Sequence, residues 1–484
     1  MRTVSPVSGR TVFCLLIPVV LGASPSFARQ TTVTGTVGTV VDYRERSYEH
    51  GDSGAYSDDG DRQKIGIRPE VLIVSRDVRD SLSLHYSPTL SYDAVLEENE
   101  VDHQLDFQGE RWLSHKWSVS VAETYIRSDD PGTPTRGRAY YDTVGEPDGG
   151  QATPDDTPTE LSRDQNGRKY WTNTARVRTN YAVDKDSRIG GGYTYSVLRN
   201  DGDGTAYEDY DRHSFFSDLA HGFTPNWRSN LGLNYTRGLY DRAQRLGSAS
   251  DDSPDLDQYG LLFGIDYVHT LHDFYPFKYS LNETQYDGDT RPDNQIHAWS
   301  LGWDHAFDSR TRMALGGGPS YAKIQGLEGS WGYNAYATLN RAYEHAALLL
   351  SLNKAYETKN FTGSSGDNGL TDTYSARAAF SYRYTQDLSF NLFGSYSRES
   401  TLDPQGIYRT SALGDATATG KTGDASYDRD IYETGIGCSY SFARWYKAGL
   451  KYSYYVSDGK LDSDQYTDHQ VLFTLSASHE LWRW

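Results

Sequence analysis

The 484-residue chain contains very little cysteine and methionine, with two residues of each. Cys14 lies in the apolar start of the chain, so removal of that start would leave Cys438 alone. A single cysteine cannot form an intrachain disulfide, and it cannot build a zinc site from several thiolates. The composition therefore excludes disulfide-stapled secreted scaffolds and zinc modules.

Positive charge and long hydrophobic runs are also scarce. The formal net charge is −19 and the mean hydropathy is −0.70. A strongly acidic chain disfavours a nucleic-acid partner, because phosphate binding needs clustered Lys and Arg. No run after residue 28 approaches the roughly 20 apolar residues that a membrane-spanning helix needs.

Motifs that carry enzyme chemistry are missing as well. The sequence has no Gly-x-Ser-x-Gly, no His-Glu-x-x-His, no phosphate-binding glycine loop, no Cys-x-x-Cys and no haem attachment site. The run from Gly316 to Pro319 lies inside a predicted strand, where glycine marks a bend or a thin wall. We therefore expect no enzyme activity and no cofactor.

Residues 1–28 have the features of a secretory signal peptide. Arg2 and Arg10 provide the positive start, a short apolar run covers 12–21, and Ser26-Phe27-Ala28 fits a small-x-small cleavage site. Cys14 lies within the apolar run rather than at its end, which disfavours a lipoprotein. We expect cleavage after Ala28 and export from the cytoplasm.

Alternation of apolar and polar residues dominates the remainder. In residues 82–92, LSLHYSPTLSY, one face carries Leu, Tyr and Pro and the other carries Ser, His and Thr. Side chains of a strand point alternately to opposite faces, so such a segment has one apolar and one polar side. Many similar segments of about ten residues follow, which predicts an all-β chain that forms either a sandwich or a membrane barrel.

The connections between these segments alternate between short and long. Acidic or long connections include 47–62, 94–100, 129–168 and 401–427, whereas the intervening turns have only two to four residues. This rhythm is typical of a transmembrane antiparallel up-and-down β-barrel with short periplasmic turns and long outer loops. We predict about 20 strands, or 18 if one hairpin lies outside the barrel, in a single domain spanning 29–484.

Tryptophan placement separates the barrel from the sandwich. Six of the ten tryptophans map to the end of the barrel that carries the short turns, as expected for indoles at a membrane interface. These predicted interface residues are Trp112, Trp117, Trp227, Trp445, Trp482 and Trp484. The terminal aromatic fits an assembly signal, although Val471, Phe473, Leu475 and Ala477 share the face opposite Trp482. A one-residue bulge near 478–480 would restore the phase.

The polar face carries charges of both signs in separated ladders. They are Lys64, Arg68, Asp102, Asp106, Glu110, Arg176, Arg178, Arg377, Arg383, Lys447 and Lys451. Such ladders either select permeant ions and sugars or brace the wall by pairing, and both roles remain open. Tyr240 also falls on this face, where its ring could stack on a sugar.

Two loops have further candidate roles. The Pro-, Gly- and Asp-rich segment 129–168 either folds inward as a constriction or lies on the surface as a plain loop. Asp201 and Asp203 are weak candidates for Ca²⁺, which prefers oxygen ligands, but their spacing does not match an EF-hand. Acidic outer loops also suit divalent-ion bridges to lipopolysaccharide.

One stretch is more distinctive than the general pattern. Residues 82–92 together with ERWLSHKWSVSVAETYIRSDDP at 110–131 resemble the Gram-negative outer-membrane β-barrel porins encoded beside exopolysaccharide and exosortase-type export systems. The resemblance implies an outer-membrane location and a role in the passage of a polymer or solute. It transfers no catalytic residue.

Three functions are compatible with these observations. The first is a channel for polar solutes or an exported polysaccharide. The second is a barrel sheath around a periplasmic electron-transfer cytochrome, and the third is an outer-membrane enzyme or adhesin. Expected partners are outer-membrane lipid and lipopolysaccharide, the barrel-assembly machinery acting on the last strand, and a polysaccharide-export or periplasmic protein.

Overall fold

The computed structural model describes residues 29–48, 61–129, 169–201, 209–240, 255–287, 291–361, 369–402, 428–459 and 465–484. The predicted signal peptide lies outside these ranges. Within them the chain forms twenty strands. None of the described residues belongs to a helix long and apolar enough to cross a membrane.

The strands follow one another along the whole described chain. They are β1 (Gln30–Tyr48), β2 (Arg62–Arg76), β3 (Asp80–Asp93), β4 (Glu98–Ser114), β5 (Trp117–Ser128), β6 (Tyr170–Ala182), β7 (Ser187–Asn200), β8 (Tyr210–Gly222), β9 (Trp227–Tyr240), β10 (Leu256–Val268), β11 (Asp273–Tyr286), β12 (Asn294–Asp308), β13 (Thr311–Ile324), β14 (Ser330–Ala342), β15 (Ala346–Lys359), β16 (Gly369–Arg383), β17 (Leu388–Thr401), β18 (Asp428–Phe442), β19 (Tyr446–Gly459) and β20 (Tyr466–Arg483).

The sheet closes on itself. Each strand pairs antiparallel with its neighbours in sequence, and β1 also pairs with β20. Thr31 and Trp484 exchange both backbone hydrogen bonds, at 2.8 and 3.0 Å. The closed all-β up-and-down barrel with twenty strands is therefore confirmed, and the alternative count of 18 is wrong.

The pairing register separates an outer and an inner face. Val37, Ile67 and Leu90 are 59%, 54% and 51% exposed, and Ile67 lies directly opposite Leu90. The residues between them in sequence, such as Arg68 and Ser91, point to the other side of the sheet. The apolar stripes predicted from the alternation thus form the outside of the barrel, and the polar stripes line its lumen.

The two ends of the barrel differ in their connections. Nine connections of two to four residues lie at one end, which we name the short-turn end, and ten lie at the opposite long-loop end. The predicted long connection at 94–100 is wrong, because it comprises only residues 94–97. The Asp93 carboxylate accepts hydrogen bonds from the backbone N–H groups of Val95 and Leu96, which closes a tight turn.

The strands are longer than the predicted ten residues. They contain 12 to 19 residues, with β5 the shortest and β1 the longest. A strand tilted in a barrel needs only about 9–11 residues to cross a bilayer. The hydrogen-bonded pairing of the strands therefore continues beyond the apolar belt. In those parts of the strands, an outward side chain need not contact lipid.

The last strand contains the bulge that its phase requires. Its register against β1 shifts between Val33 and Thr34, which pair with Trp482 and Glu480 and leave Leu481 extra. The bulge lies one residue beyond the predicted stretch 478–480. It places Trp482 on the outer face together with Phe473 and Leu475.

Candidate functional site

The exterior of the barrel is an apolar belt bordered by aromatic residues. At the short-turn end, the Trp227 ring lies 4.8 Å from Tyr267, and the Trp445 ring lies 4.2 Å from His479. Trp482 and Trp484 are 68% and 66% exposed at the same end. A closed sheet with an apolar outside and a polar inside satisfies its backbone within lipid. The chain therefore has the architecture of a transmembrane β-barrel.

Trp112 differs from the other predicted interface tryptophans. Its register partner is Ser118, which belongs to the inner face, whereas Trp117 pairs with the outward Tyr181. A register shift between Trp112 and Ser114 accompanies this placement. Trp112 therefore lies at the inner rim of the short-turn end and not in the lipid-facing girdle.

All of the charges singled out from the sequence lie on the inner face. Apart from Leu472 opposite Lys451, their cross-strand partners are polar or small residues, in contrast to the apolar pairs of the outer face. The residues placed in this way are Lys64, Arg68, Asp102, Asp106, Glu110, Arg176, Arg178, Arg377, Arg383, Lys447 and Lys451. The structure thus brings both signs of charge to the lumen, and their partners decide what each can do.

Charges near the long-loop end are paired and buried. Lys64 Nζ lies 2.5 Å from Glu100 and 2.6 Å from Asp129, and Arg62 lies 2.6 Å from the same Asp129 carboxylate. Across β1 and β20, Arg46 lies 2.8 Å from Asp468. We name this inner rim the charged arc; it runs from β17 through β20 and β1 to β4 and also includes Arg44, Asp93, Glu399 and Arg429.

The pKa of Asp129 shows how these ion pairs offset the effect of burial on a charged group. Burial alone would raise the pKa of its carboxyl, but a hydrogen bond with Glu100 and the charges of Lys64 and Arg62 lower that pKa below its usual 3.8. Asp129 is therefore an anion at neutral pH. The rest of the predicted constriction, 130–168, lies outside the described residues.

Pairing continues at mid-height on β6. Arg178 Nη2 donates to Asp218 at 2.9 Å across β7, and Arg176 Nε donates to Thr194 at 3.3 Å. Gly190 of β7 gives the first pair its room, because a Cβ there would meet the Asp218 carboxylate at 2.4 Å. The β6 ladder therefore braces the wall.

Charges near the short-turn end have a different environment. Within the described residues, the side chains of Glu110, Arg383 and Lys447 have no ion pair and no hydrogen bond. They lie close to the ends of β4, β16 and β19, at the rim that carries the short turns. Paired and buried charges therefore lie towards the long-loop end, whereas these unpaired charges lie at the short-turn rim.

The remaining inner rim of the long-loop end is apolar. Tyr240, predicted on the lumen side, is 6% exposed there, next to Tyr210 at 1% and Leu256 at 0%. We name this set the apolar arc; it spans β5 to β13 and comprises Ile126, Tyr170, Leu198, Tyr210, Tyr240, Leu256, Tyr286, Ile296, Ala322 and Ile324. Sequence reasoning missed it, although adjacent apolar residues such as Val197 and Leu198 break the alternation and could have indicated it.

The weak calcium candidates receive no support from their described part. Asp201 lies 3.4 Å from Arg127, and Asp203 lies outside the described residues. Among the described residues, no three His, Cys, Asp or Glu side chains are grouped so as to hold a metal ion.

Histidine forms a second feature that the sequence reasoning missed. On the outer face, tyrosine hydroxyls contact Nδ1 of a histidine on the next strand in four places, at 2.7 to 3.0 Å. The pairs are Tyr86–His103, Tyr193–His213, Tyr279–His297 and Tyr452–His469. They extend the aromatic girdle around the long-loop half of the exterior.

Comparison with known proteins gives similarity in architecture only. No protein-family model and no curated sequence matches the chain. The siderophore receptor PirA from Pseudomonas aeruginosa is 9% identical with a TM-score of 0.47, covering 94% of this chain and 81% of PirA. OpdQ of the same species is 12% identical (TM-score 0.40, 93% and 98% covered), and OccAB3 of Acinetobacter baumannii is 8% identical (0.41, 93% and 99%). These values carry no information on what this chain binds or transports.

Proposed function

We propose that the barrel is a channel that passes polar solutes, or an exported polysaccharide, across the outer membrane. The observation that carries the proposal is a lumen wall that is mainly polar and charged outside the apolar arc, with unpaired charges at the short-turn rim. A twenty-stranded barrel is too wide for side chains to fill. The proposal includes no catalysis and no cofactor.

The proposal extends to processing and partners. Cleavage after Ala28 would release the barrel, and the last strand with its terminal Trp484 would be the segment that the barrel-assembly machinery engages. Lipopolysaccharide would surround the aromatic and histidine girdle of the long-loop half. The exopolysaccharide link is supported only by the resemblance of 82–92 and 110–131.

Planar-bilayer conductance of the purified barrel tests the channel directly. We expect discrete steps in KCl and a reversal potential that shifts after charge reversal at lumen sites. Arg383→Glu with Lys447→Glu should shift it most, because these cations are unpaired. Arg176→Glu and Arg178→Glu should shift it less, since Asp218 already neutralises Arg178.

The same recordings contain the outcomes that contradict the proposal. A barrel that inserts into the bilayer without any conductance would reject the channel. An unchanged reversal potential in the double variant and in both single variants would reject a lumenal role for these charges. A matched lipid-facing control is Arg111→Glu, whose partner Asp80 lies on the outer face; this variant should leave ion selectivity unchanged.

A further inference from the structure

Strand β15 separates from its neighbour β14 part-way along the wall. The outermost pair between them is Ala335 with Lys354, although β14 begins at Ser330 and β15 continues to Lys359. No described residue pairs with residues 330–334 on that side. Beyond Lys354, β15 stays paired with β16 as far as Lys359 with Gly369. The outer part of this hairpin therefore leaves the barrel wall.

The hairpin turns into the lumen. Thr358, which follows the outward alternation of β15, donates a hydrogen bond at 2.9 Å to Asn294 on the inner face of β12. Tyr356 lies directly against Gly332 of β14, where a Cβ would be 2.1 Å from its hydroxyl. Leu370 of β16 is 1% exposed within the apolar cluster. The side chains that continue the outward-facing alternation of β15 therefore pack against the inner face of β12 to β14.

The two described residues that follow β15, Asn360 and Phe361, which we name the tip of the hairpin, contact strands of the apolar arc. The Phe361 ring lies 5.2 Å from Tyr210 and 5.9 Å from Tyr240, and the Arg212 guanidinium lies 4.8 Å from its centroid. The Tyr240 hydroxyl donates to the Asn360 carbonyl at 2.8 Å. The Tyr286 hydroxyl donates to the Asn360 side chain at 2.6 Å. Three strands, β8, β9 and β11, therefore hold the tip.

The base of the hairpin is clamped where it leaves the wall. Lys354 Nζ is ion-paired with Asp372 at 2.8 Å and lies 4.4 to 5.5 Å from the ring centroids of Tyr333, Tyr356 and Tyr374. Its side chain is 5% exposed. At the far side, Lys359 is ion-paired with Glu399 of the charged arc. The hairpin is thus anchored at base, flank and tip.

From this geometry we infer that the β15–β16 hairpin is the constriction of the pore, and that it confines solutes to the charged side of the mouth. The inference rests on the proposed channel function. The hairpin covers apolar side chains that would otherwise face water, so its seat is favourable by the hydrophobic effect. On the charged arc, by contrast, the hairpin makes an ion pair, that of Lys359 with Glu399 at the β17 end.

The charged side contains a cavity of the kind that polar solutes occupy. Its volume is about 340 Å³, and it is lined by Lys64, Arg68, Glu70, His85 and Asp102 among others. Small-molecule sites typically measure about 300–1,000 Å³. Cations, carboxylates and hydroxyls in one wall suit a hydroxyl-rich or charged solute such as a sugar or sugar acid. This wall is therefore the specificity-determining surface.

A double variant of the tip tests the constriction. Phe361→Ala with Asn360→Ala should raise single-channel conductance severalfold and admit larger neutral sugars, measured with L-arabinose and stachyose in liposome swelling. Phe215→Ala, on the outer face of β8, is the matched control and should change neither value. Equal conductance and equal sugar uptake in the tip variant and the wild type would overturn the inference.

A cross-link reports the position of the hairpin whether or not the barrel conducts. Asn294→Cys with Thr358→Cys, in a Cys438→Ser background, should form a disulfide in isolated outer membranes. Absence of the disulfide would overturn the constriction alone. A disulfide together with silent wild-type and tip-variant barrels would support the inward hairpin and overturn the channel instead.

The path along the charged side has its own test. Arg68→Gln should shift the reversal potential towards cation selectivity, because its guanidinium lines the open cavity. Arg212 also lies on the inner face, but its guanidinium is covered by Phe361. Arg212→Gln should therefore shift the reversal potential much less. Equal shifts at the two positions would show that solutes also pass along the apolar side, contrary to the inference.

Discussion

The charged arc and the apolar arc occupy the same rim of one barrel, yet each excludes water from its side chains in a different way. The charged arc buries cations and carboxylates in pairs, such as Arg46 with Asp468. The apolar arc buries side chains such as Leu256 beneath this chain's own hairpin. The difference shows that one half of the rim is a seat for the hairpin, whereas the other half leaves a polar path.

The two arcs should respond differently to single substitutions. Removing one partner of a buried ion pair leaves an uncompensated charge, which costs far more than the pair contributed. Enlarging or shortening a buried apolar side chain lowers the free energy of unfolding by an amount that depends on how far the neighbouring side chains can adjust. The strongest test of the comparison is therefore on the charged arc.

The largest effect is expected for Lys64→Met. The change leaves Glu100 without the Lys64 cation and leaves Asp129 with Arg62 alone, and we expect a loss of roughly 3–5 kcal/mol in the free energy of unfolding. Guanidinium titration in lipid vesicles, followed by tryptophan fluorescence, measures it. Lys185→Met, at an exposed ion pair in the β6–β7 turn, is the control and should leave the midpoint unchanged; an equal loss in both would remove the distinction between buried and exposed pairs.

Much of this architecture is predictable from local sequence. The alternation of residues identifies the inner face at Lys64, Arg178 and Lys451 because a period of two needs no tertiary information. It also fixes the need for a bulge in the last strand. The same alternation puts Trp112 on the inner face with Glu110; its prediction as a lipid-facing residue comes from its position beside a short turn, which does not determine the face.

The partners of the inner charges could not be predicted in the same way. Arg178 meets Asp218 across an intervening strand, and Lys64 meets Asp129 from three strands away, so both contacts depend on the register of the closed sheet. The inward hairpin was also missed. Tyr356 and Thr358 keep the alternation of a wall strand, and only the three-dimensional course of β15 reveals that their face packs inside the lumen.

A medium effect is expected for Gly238→Val on the apolar arc. A Cβ at Gly238 would lie 2.9 Å from Phe361 and 3.3 Å from Leu256, so the larger side chain competes with the hairpin for its seat. We expect a loss of about 1–3 kcal/mol by overpacking and a lower yield of the 294–358 cross-link. Gly232→Val on the same strand is the control, since its nearest neighbour is Leu262 at 3.6 Å. An undiminished cross-link in Gly238→Val would argue that Phe361 is not seated there.

Of the two arcs, the charged arc is the one that acid should weaken. The pKa of Asp129 is lower in the folded chain than its usual 3.8, so the pairing stabilises the fold fully above that value. The stabilisation is lost as the pH falls below 3.8 and through the folded pKa. The effect should be smaller than that of Lys64→Met, because protonation removes no side chain. In the same guanidinium titrations, the free energy of unfolding of Asp129→Asn should fall less at acid pH than that of the wild type. An equal fall would assign the acid sensitivity to other carboxyls.

The smallest effect is expected for Tyr240→Phe, which keeps the ring beside Phe361 and removes only the hydroxyl that donates to Asn360. Losing one hydrogen bond of this kind costs about 0.5–1.5 kcal/mol. Tyr235→Phe on the same strand is the matched control, because its outward hydroxyl donates to Asp257 at 2.7 Å. Both variants should lower the unfolding midpoint slightly, but only Tyr240→Phe should reduce the 294–358 cross-link. If both left that cross-link unchanged, the tip would be held by ring packing alone, and the apolar arc would need no polar anchor to keep the hairpin in the lumen.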